Sequence, residues 1–168
     1  IQQLQQVRGG KLQHLGLLAQ ALVGLRLGAG DVRGARAVLG RVVAWGVGFG
    51  VVVGVLAVLL RGPLSGAFSP DPAVQDAAGA ALLVLALIAP IGAVAFQLDG
   101  VLIGAGDARF LALAGIATTV AYAPFVGAVW ATSAGLAWLW AAYGAWLAFR
   151  SVVLGLRTRS DRWLRLGA

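Results

Sequence analysis

Long runs of apolar residues, separated by short polar segments, dominate the chain. Each of the four longer runs has about 22 residues, and a helix of that length rises about 1.5 Å per residue and crosses about 30 Å of hydrocarbon. The runs lack the two-residue alternation of outer-membrane barrel strands. The pattern predicts an all-α, polytopic transmembrane helix bundle that forms a single domain over residues 1–168. The expected spans are residues 12–27, 38–60, 77–98, 110–131 and 134–156.

Composition supports a lipid environment. Hydrophobic residues make up 60% of the chain and charged residues 11%, against roughly 25% charged residues in soluble domains. The mean hydropathy is +0.90. The sequence has no cysteine, no glutamate and one histidine, His14, which disfavours thiolate or histidine metal sites and catalytic triads. We therefore expect no catalytic residue, no metal and no cofactor.

The polar connections predict where helices begin and end. Residues 61–76 form the longest connection, and Asp71 followed by Pro72 is typical of an N-cap and the first helical position. The next helix is therefore predicted to begin near Ala73. A tight turn is expected at Ala131–Ser133.

Basic residues predict the orientation in the membrane. Five crossings place residues 26–41, 99–109 and 150–168 on one side, with ten of the thirteen lysines and arginines. By the positive-inside rule this side is cytoplasmic. Twelve of the thirteen basic residues are arginine, a bias typical of GC-rich bacterial genomes, so the expected location is the bacterial cell membrane. No soluble basic face is left for nucleic acid. Four tryptophans near span ends are expected at the interfaces: Trp45, Trp130, Trp138 and Trp163.

A loop sequence occurs twice. Residues 22–33 (LVGLRLGAGDVR) and 98–109 (LDGVLIGAGDAR) are identical at seven of twelve positions. A phosphate-binding loop is disfavoured, because arginine replaces the third glycine of G-x-G-x-x-G and the preceding element is a membrane helix. We predict cytoplasmic helix-to-helix turns, in which glycine ends one helix in left-handed geometry and aspartate caps the next. The alternative is a gate, in which Asp and Arg pair across two lobes. The residues concerned are Gly28, Gly30, Asp31, Arg33, Gly104, Gly106, Asp107 and Arg109.

Asp99 is the main candidate for ion coupling. It ends a mostly apolar run, and a carboxylate inside the membrane is a functional hypothesis by default. Burial favours its protonated form, so it could carry a proton. The alternative is an interfacial aspartate that pairs with Arg109 or caps backbone. Arg150 is expected to extend towards the cytoplasmic interface.

Other side chains could shape a transport path. Pro90 and Pro124 lie in the middle of spans, where proline removes a backbone hydrogen bond and can kink a helix for gating; tolerated kinks are the alternative. Gln97 and Tyr122 are candidates for a polar cavity, or else for bonds between helices. Tyr143, Thr118 and Thr119 share these two interpretations. Phe96, Phe125 and Trp146 could contact a cationic compound through their rings, or simply pack or face lipid.

Three segments resemble a known family. FQLDGVLIGAGDARFLALA (residues 96–114) closely resembles the segment between the tenth and eleventh helices of MATE (multidrug and toxic compound extrusion) transporters, most of all the DinF-like branch. AQALVGLRLGAGDVRGARAVLGRVVAWG (19–46) is similar to the eighth helix and the loop to the ninth. AFSPDPAVQDAA (67–78) resembles the outer loop before helix ten. The resemblance covers residues 17–167.

The resemblance implies a twelve-helix, two-lobe antiporter that exports amphipathic, often cationic compounds against inward H⁺ or Na⁺. This chain would supply helices eight to twelve of the second lobe. Since the sequence has no methionine and opens with neither a signal peptide nor a complete span, we expect a C-terminal fragment whose N-terminal lobe is the missing partner. The proton-coupling aspartate of DinF-like members would then lie outside it, in the first helix.

Three alternative functions remain. A lipid-linked precursor flippase of the same superfamily would require several arginines in its cavity, and these spans carry almost none away from their ends. An intramembrane enzyme would require acidic pairs or His and Glu clusters. A structural membrane module without transport is the third.

Overall fold

The structure, a computed structural model, describes residues 11–133 and 135–164, with side chains from Gln20 onward. The described ranges are helical and contain no strand, so the predicted all-α class is confirmed. Arg8 and Arg165, and the side chains of Lys11 and His14, lie outside the described part.

The elements are α1 (Lys11–Gly28), α2 (Val32–Phe68), α3 (Pro72–Gly104), α4 (Ala108–Thr132), α5 (Leu136–Arg159) and a short 3₁₀ helix (Asp161–Trp163).

Four of these helices, α2 to α5, are long and apolar enough to cross a membrane. The 18-residue α1 is not one of the four. The sequence predicted about five crossings, and among the described helices four meet the requirements of length and composition.

α2 and α3 are longer than their predicted spans, with 37 and 33 residues. The long connection predicted at residues 61–76 is wrong: α2 continues through Pro63 to Phe68, and only residues 69–71 separate the two helices. A helix satisfies its backbone groups internally, which favours its continuation next to lipid past isolated polar residues and proline. The predicted cap is confirmed, since Asp71 Oδ1 accepts from the Ala73 N–H at 2.9 Å and Pro72 begins α3.

α4 and α5 keep close to their predicted limits. The turn between them contains Ser133, whose φ is +49°, and Gly135, whose φ is +88°. Ser133 donates its N–H to the Trp130 carbonyl at 3.2 Å. The tight turn predicted at 131–133 is therefore present, one or two residues later than expected.

α3 lies at the centre of the bundle and packs against all four other helices, whereas α4 packs mainly against α5. A buried apolar cluster fills one end of the bundle, where α1 and α3 end, α2 begins and α5 ends. Many large apolar side chains elsewhere stay exposed, as expected for faces that meet lipid. The cluster consists of Val23, Leu27, Ala35, Leu98, Val101, Leu102, Ala105, Ala114, Leu154 and Trp163.

Candidate functional site

Asp99 and Arg150 form an ion pair between α3 and α5. Arg150 donates from Nη2 to Asp99 Oδ1 at 2.8 Å and from Nε to Oδ2 at 3.1 Å. The side chains of Asp99 and Arg150 are only 20% and 15% exposed. Two parallel charge-assisted hydrogen bonds fix the geometry of both groups. The pair thus joins opposite charges within the membrane-spanning part of the bundle.

The alternative interpretation of Asp99 is wrong, because Asp99 neither pairs with Arg109 nor caps a helix. Arg150 extends to Asp99, which lies five residues before the end of α3. Arg150 lies nine residues before the end of α5, which is about 13 Å along the helix axis. An unpaired charge at that depth is costly, whereas a hydrogen-bonded pair compensates both charges.

α4 and an aromatic side chain complete the surroundings of Arg150. Its Nη1 lies 3.5 Å from the hydroxyl of Thr118, a buried residue that donates to the Ala114 carbonyl at 2.8 Å. The guanidinium carbon lies 5.7 Å from the centroid of the Trp146 ring, within cation–π range. Arg150 therefore contacts a carboxylate, a hydroxyl and an aromatic face at once.

Aromatic side chains extend this cluster away from Arg150. Tyr143 stacks on Trp146 with centroids 5.5 Å apart, and Tyr122 of α4 lies 6.1 Å from the same ring. Trp140 contacts Tyr143 edge to face at 5.9 Å. The indole Nε1 of Trp146 is buried and has no hydrogen-bond partner within the described residues. We call Asp99, Thr118, Tyr122, Tyr143, Trp146 and Arg150 the polar–aromatic cluster.

Gln97 does not join the polar–aromatic cluster. A Cβ added at Gly46 of α2 would lie 2.7 Å from Gln97 Cγ, so this side chain packs against α2. Residues two positions apart point to opposite sides of a helix, and Asp99 faces α5. Gln97 therefore lies apart from Asp99, whereas Tyr122 reaches the cluster through Trp146. Phe96 and Phe125 are exposed on the outer surface.

Pro90 lies at a close approach of α2 and α3. A Cβ at Gly50 would come within 2.6 Å of the Pro90 Cα, and one at Gly54 within 2.6 Å of the Ala86 carbonyl oxygen. That carbonyl is the one that Pro90 deprives of its helical donor. α2 thus packs directly on the break in α3, whereas Pro124 sits on an exposed stretch of α4.

The two repeated loops have the same backbone. We call residues 28–31 and 104–107 the first and second GAGD turns. Gly30 and Gly106 have φ of +73° and +74°. Asp31 donates its N–H to the Arg26 carbonyl at 2.8 Å, and Asp107 to the Leu102 carbonyl at 3.0 Å. These are the Schellman bonds of a helix end with left-handed glycine, so both loops are helix-to-helix turns. They lie at the same end of the bundle.

The aspartates of the two GAGD turns differ in their side-chain contacts. Asp31 caps α2 by accepting from the Gly34 N–H at 2.8 Å. This hydrogen bond, and then the Arg26 guanidinium at 2.7 Å, lower the pKa of the exposed Asp31 carboxyl. Asp107 stands at the N-cap of α4 but makes no capping bond with its side chain. It is buried and accepts from Arg157 Nε at 2.7 Å, so the predicted cap at Asp107 is wrong.

Seven arginines and three aspartates gather at the end that carries both GAGD turns, which we call the arginine-rich end. Each aspartate pairs with an arginine: Asp31 with Arg26, Asp107 with Arg157, and Asp161 with Arg36. The net charge of these described residues is therefore positive. The arginines are Arg26, Arg33, Arg36, Arg109, Arg157, Arg159 and Arg162.

Sequence reasoning named Arg150, Trp146 and Trp163 but did not predict their contacts. Arg150 is an arginine in the apolar run WLAFRSVVLGL, and pairing it with the other mid-helix charge, Asp99, was the available signal. Trp146 acts as the aromatic neighbour of Arg150. Trp163 is fully buried and donates from Nε1 to the Thr158 carbonyl at 2.9 Å, so its predicted interfacial position is wrong.

Comparison with known proteins gives one match. A family model described as MatE matches residues 14–127, more than half of the chain. The matched part includes Asp99, Pro90 and both GAGD turns, and it ends before α5 with Arg150. No curated protein and no solved structure matches the chain significantly.

Proposed function

The chain belongs to the MatE family, and from this premise we propose that it is the C-terminal part of a secondary active antiporter of the DinF-like branch. The antiporter exports amphipathic, often cationic drugs and xenobiotics across the bacterial cell membrane, against inward H⁺ or Na⁺. Family membership together with four membrane-spanning helices makes it a multi-pass membrane transporter of the MATE type. The coupling to H⁺ or Na⁺ and the nature of the exported compounds are our proposal.

The Asp99–Arg150 ion pair is the observation that carries the proposal. Arg150 competes with a coupling ion for Asp99, because its guanidinium bonds to both carboxylate oxygens and neutralises their charge. In one state Arg150 neutralises Asp99; in the other H⁺ or Na⁺ does so, and Arg150 is released. Since the two residues belong to different helices, this exchange changes the contact between α3 and α5. A ligand that binds one of two states better shifts the population towards it.

The aromatic side chains suggest how a cationic substrate takes part. Arg150 now occupies the face of Trp146 as well as the Asp99 carboxylate. An organic cation is attracted by the same two groups, an aromatic face and a carboxylate. Arg150 therefore competes with the coupling ion for the Asp99 carboxylate, and with the substrate for this carboxylate and the Trp146 ring. Tyr122 and Tyr143 extend the aromatic surface along α4 and α5.

The same pair argues against a flippase for pyrophosphate-linked lipids. A pyrophosphate site needs several uncompensated cations, whereas Arg150, the arginine of the polar–aromatic cluster, is neutralised by Asp99. The GAGD turns serve in this proposal as corners on the cytoplasmic side, which the positive balance of the arginine-rich end supports.

The test uses the full-length natural protein in proteoliposomes, with ethidium as the transported cation and either a pH or a Na⁺ gradient. Asp99→Asn removes the exchangeable charge with little change of shape, and we expect gradient-driven efflux to fall to the level of protein-free vesicles. Arg150→Gln should leave binding of ethidium intact but weaken its dependence on the gradient. Arg109→Gln, an exposed arginine away from the cluster, is the control and should transport normally.

Efflux by Asp99→Asn that still follows the gradient would contradict the coupling role. Wild-type protein that moves no ethidium but transfers a pyrophosphate-linked lipid between leaflets would replace the antiporter by the flippase. Absence of both activities would leave a structural module.

A further inference from the structure

An apolar groove lies between α2 and α5, and residues of α3 form its floor. Its volume is about 480 Å³. Gly40 and Gly155 leave it open, because a Cβ at Gly40 would meet nothing within 4 Å and one at Gly155 would meet only Leu98 Cδ1 at 4.0 Å. The lining residues are Leu39, Gly40, Val43, Val94, Leu98, Ser151, Val152, Gly155, Leu156, Thr158 and Arg159.

The groove runs inward from the arginine-rich end. Its wall on α5 extends from Arg159 back to Ser151, about 12 Å at 1.5 Å per residue. Its floor on α3 lies at Leu98 and Val94, about 9 to 15 Å before the end of that helix by the same rise. One end of the groove is therefore at the membrane boundary and the other within the hydrocarbon region.

The interior of the groove offers few free polar groups. Ser151 Oγ donates to the Leu147 carbonyl at 2.8 Å and also lies 3.2 Å from the Ile91 carbonyl of α3. Thr158 Oγ1 donates to the Gly155 carbonyl at 3.0 Å, so the donors of both hydroxyls are used. A helix about 10 Å wide and two turns long occupies on the order of 800 Å³, which is more than the groove holds. A single extended hydrocarbon chain fits its shape and its polarity better.

The mouth of the groove is positively charged. Arg159 is exposed and forms no ion pair with any described residue, whereas the three aspartates at this end are already paired with other arginines. A phosphate at the mouth would therefore find an available guanidinium and no uncompensated carboxylate within the described part of this end. Arginine binds phosphate through parallel N–H donors.

From the shape and the charge together, we propose that the groove binds one anionic phospholipid, with an acyl chain along Val94, Leu98 and Val152 and its phosphate at Arg159. The site does not use the Asp99 carboxylate. It is independent of the proposed antiport, and the lipid would tie α2 to α5 at the end where these two helices are otherwise separated by the groove.

Native mass spectrometry of the full-length protein in detergent tests the proposal, with phosphatidylglycerol and phosphatidylcholine as matched probes. We expect one phosphatidylglycerol per protein and weaker binding of phosphatidylcholine. Arg159→Gln should weaken phosphatidylglycerol about fivefold, the change that about 1 kcal/mol per arginine near an anionic lipid surface corresponds to. Gly155→Leu fills the groove and should abolish binding. The controls are Arg109→Gln at the same end and Gly48→Leu, whose added side chain meets open space.

Photo-crosslinking of wild-type protein to phosphatidylglycerol with a diazirine in its acyl chain gives a second readout that does not depend on the folding of any variant. Crosslinks at Val94, Leu98, Val152 or Leu156 support the site, and crosslinks confined to other residues overturn it. Equal binding of both lipids, or binding that Arg159→Gln and Gly155→Leu leave unchanged, also overturns it. A second protein copy or another segment of the full-length chain in the groove would leave Val94, Leu98, Val152 and Leu156 without lipid crosslinks, and this result also overturns the proposal.

Discussion

Arg157 Nε lies 2.7 Å from Asp107 Oδ2, so the end of α5 is joined directly to the second GAGD turn. Asp107 is only 1% exposed and Arg157 16%. The Arg157 guanidinium also lies 4.7 Å above the Phe110 ring and donates to the Arg162 carbonyl at 3.4 Å. The first GAGD turn has no such connection to α5: Asp31 pairs locally with Arg26 on the surface. The two repeats therefore share a backbone but differ in how they are held.

This difference predicts unequal effects of removing the two arginines. Arg157→Ala removes a counter-charge 2.7 Å from a buried carboxylate and should reduce the free energy of unfolding by about 3 kcal/mol. Arg26→Ala, the matched change at the exposed pair, should leave stability almost unchanged. Thermal and denaturant unfolding of both variants in detergent measures the difference. If both variants lost the same free energy of unfolding, the burial of Asp107 would not increase the contribution of its ion pair to stability.

A second comparison uses the glycines that end the two helices. A Cβ at Gly104 would collide with the Gln20 carbonyl oxygen and lie 2.9 Å from its Cα, so Gly104→Ala should force α1 and α3 apart and cost about 2 kcal/mol. A Cβ at Gly28, the equivalent position in the first repeat, meets nothing within 4 Å. Gly28→Ala should be neutral or slightly stabilising. The same unfolding measurement tests both variants. A Gly104→Ala variant as stable as the wild type would contradict the close crossing of α1 and α3 at Gly104.

Trp163 gives a third prediction. Its ring is fully buried in the apolar cluster, and Asp161 beside it pairs with Arg36 of α2. Trp163→Ala should cost about 3 kcal/mol or more, as for other buried aromatic truncations. Trp163→Phe keeps the ring and loses the hydrogen bond to Thr158, so its cost should be smaller. Trp138→Ala, at an exposed tryptophan, is the control, and a Trp163→Ala variant no less stable than this control would rule out anchoring of the C-terminal segment.

A fourth prediction concerns the two prolines. Pro90→Ala returns a donor to the Ala86 carbonyl and makes α3 more regular where α2 packs on it, so ethidium efflux should slow while stability is kept. Pro124→Ala lies on an exposed stretch and should transport normally. Initial efflux rates in proteoliposomes, at equal protein content, separate the two. A normal rate for Pro90→Ala would assign Pro90 to a tolerated kink without a gating role.

The sequence was sufficient where local chemistry decides. Apolar runs of about 22 residues predicted the membrane helices, because hydrocarbon thickness fixes their length. The GAGD repeats predicted left-handed glycines, and Asp71 with Pro72 predicted the start of α3, since turns and caps depend on neighbouring residues. The MATE-like segments predicted the family that the MatE match then showed.

Only the tertiary structure decided which distant groups meet. Asp99 and Arg150 are 51 residues apart, and no local pattern shows that α3 and α5 place them in contact. The GAGD repeats predict equal roles for Asp31 and Asp107, yet the approach of α5 buries one and leaves the other exposed. The same packing places Gln97 against α2 and Trp163 in the buried apolar cluster. A charged or aromatic side chain next to lipid takes the partner that the packed helices bring to it, and that partner is a property of the whole bundle.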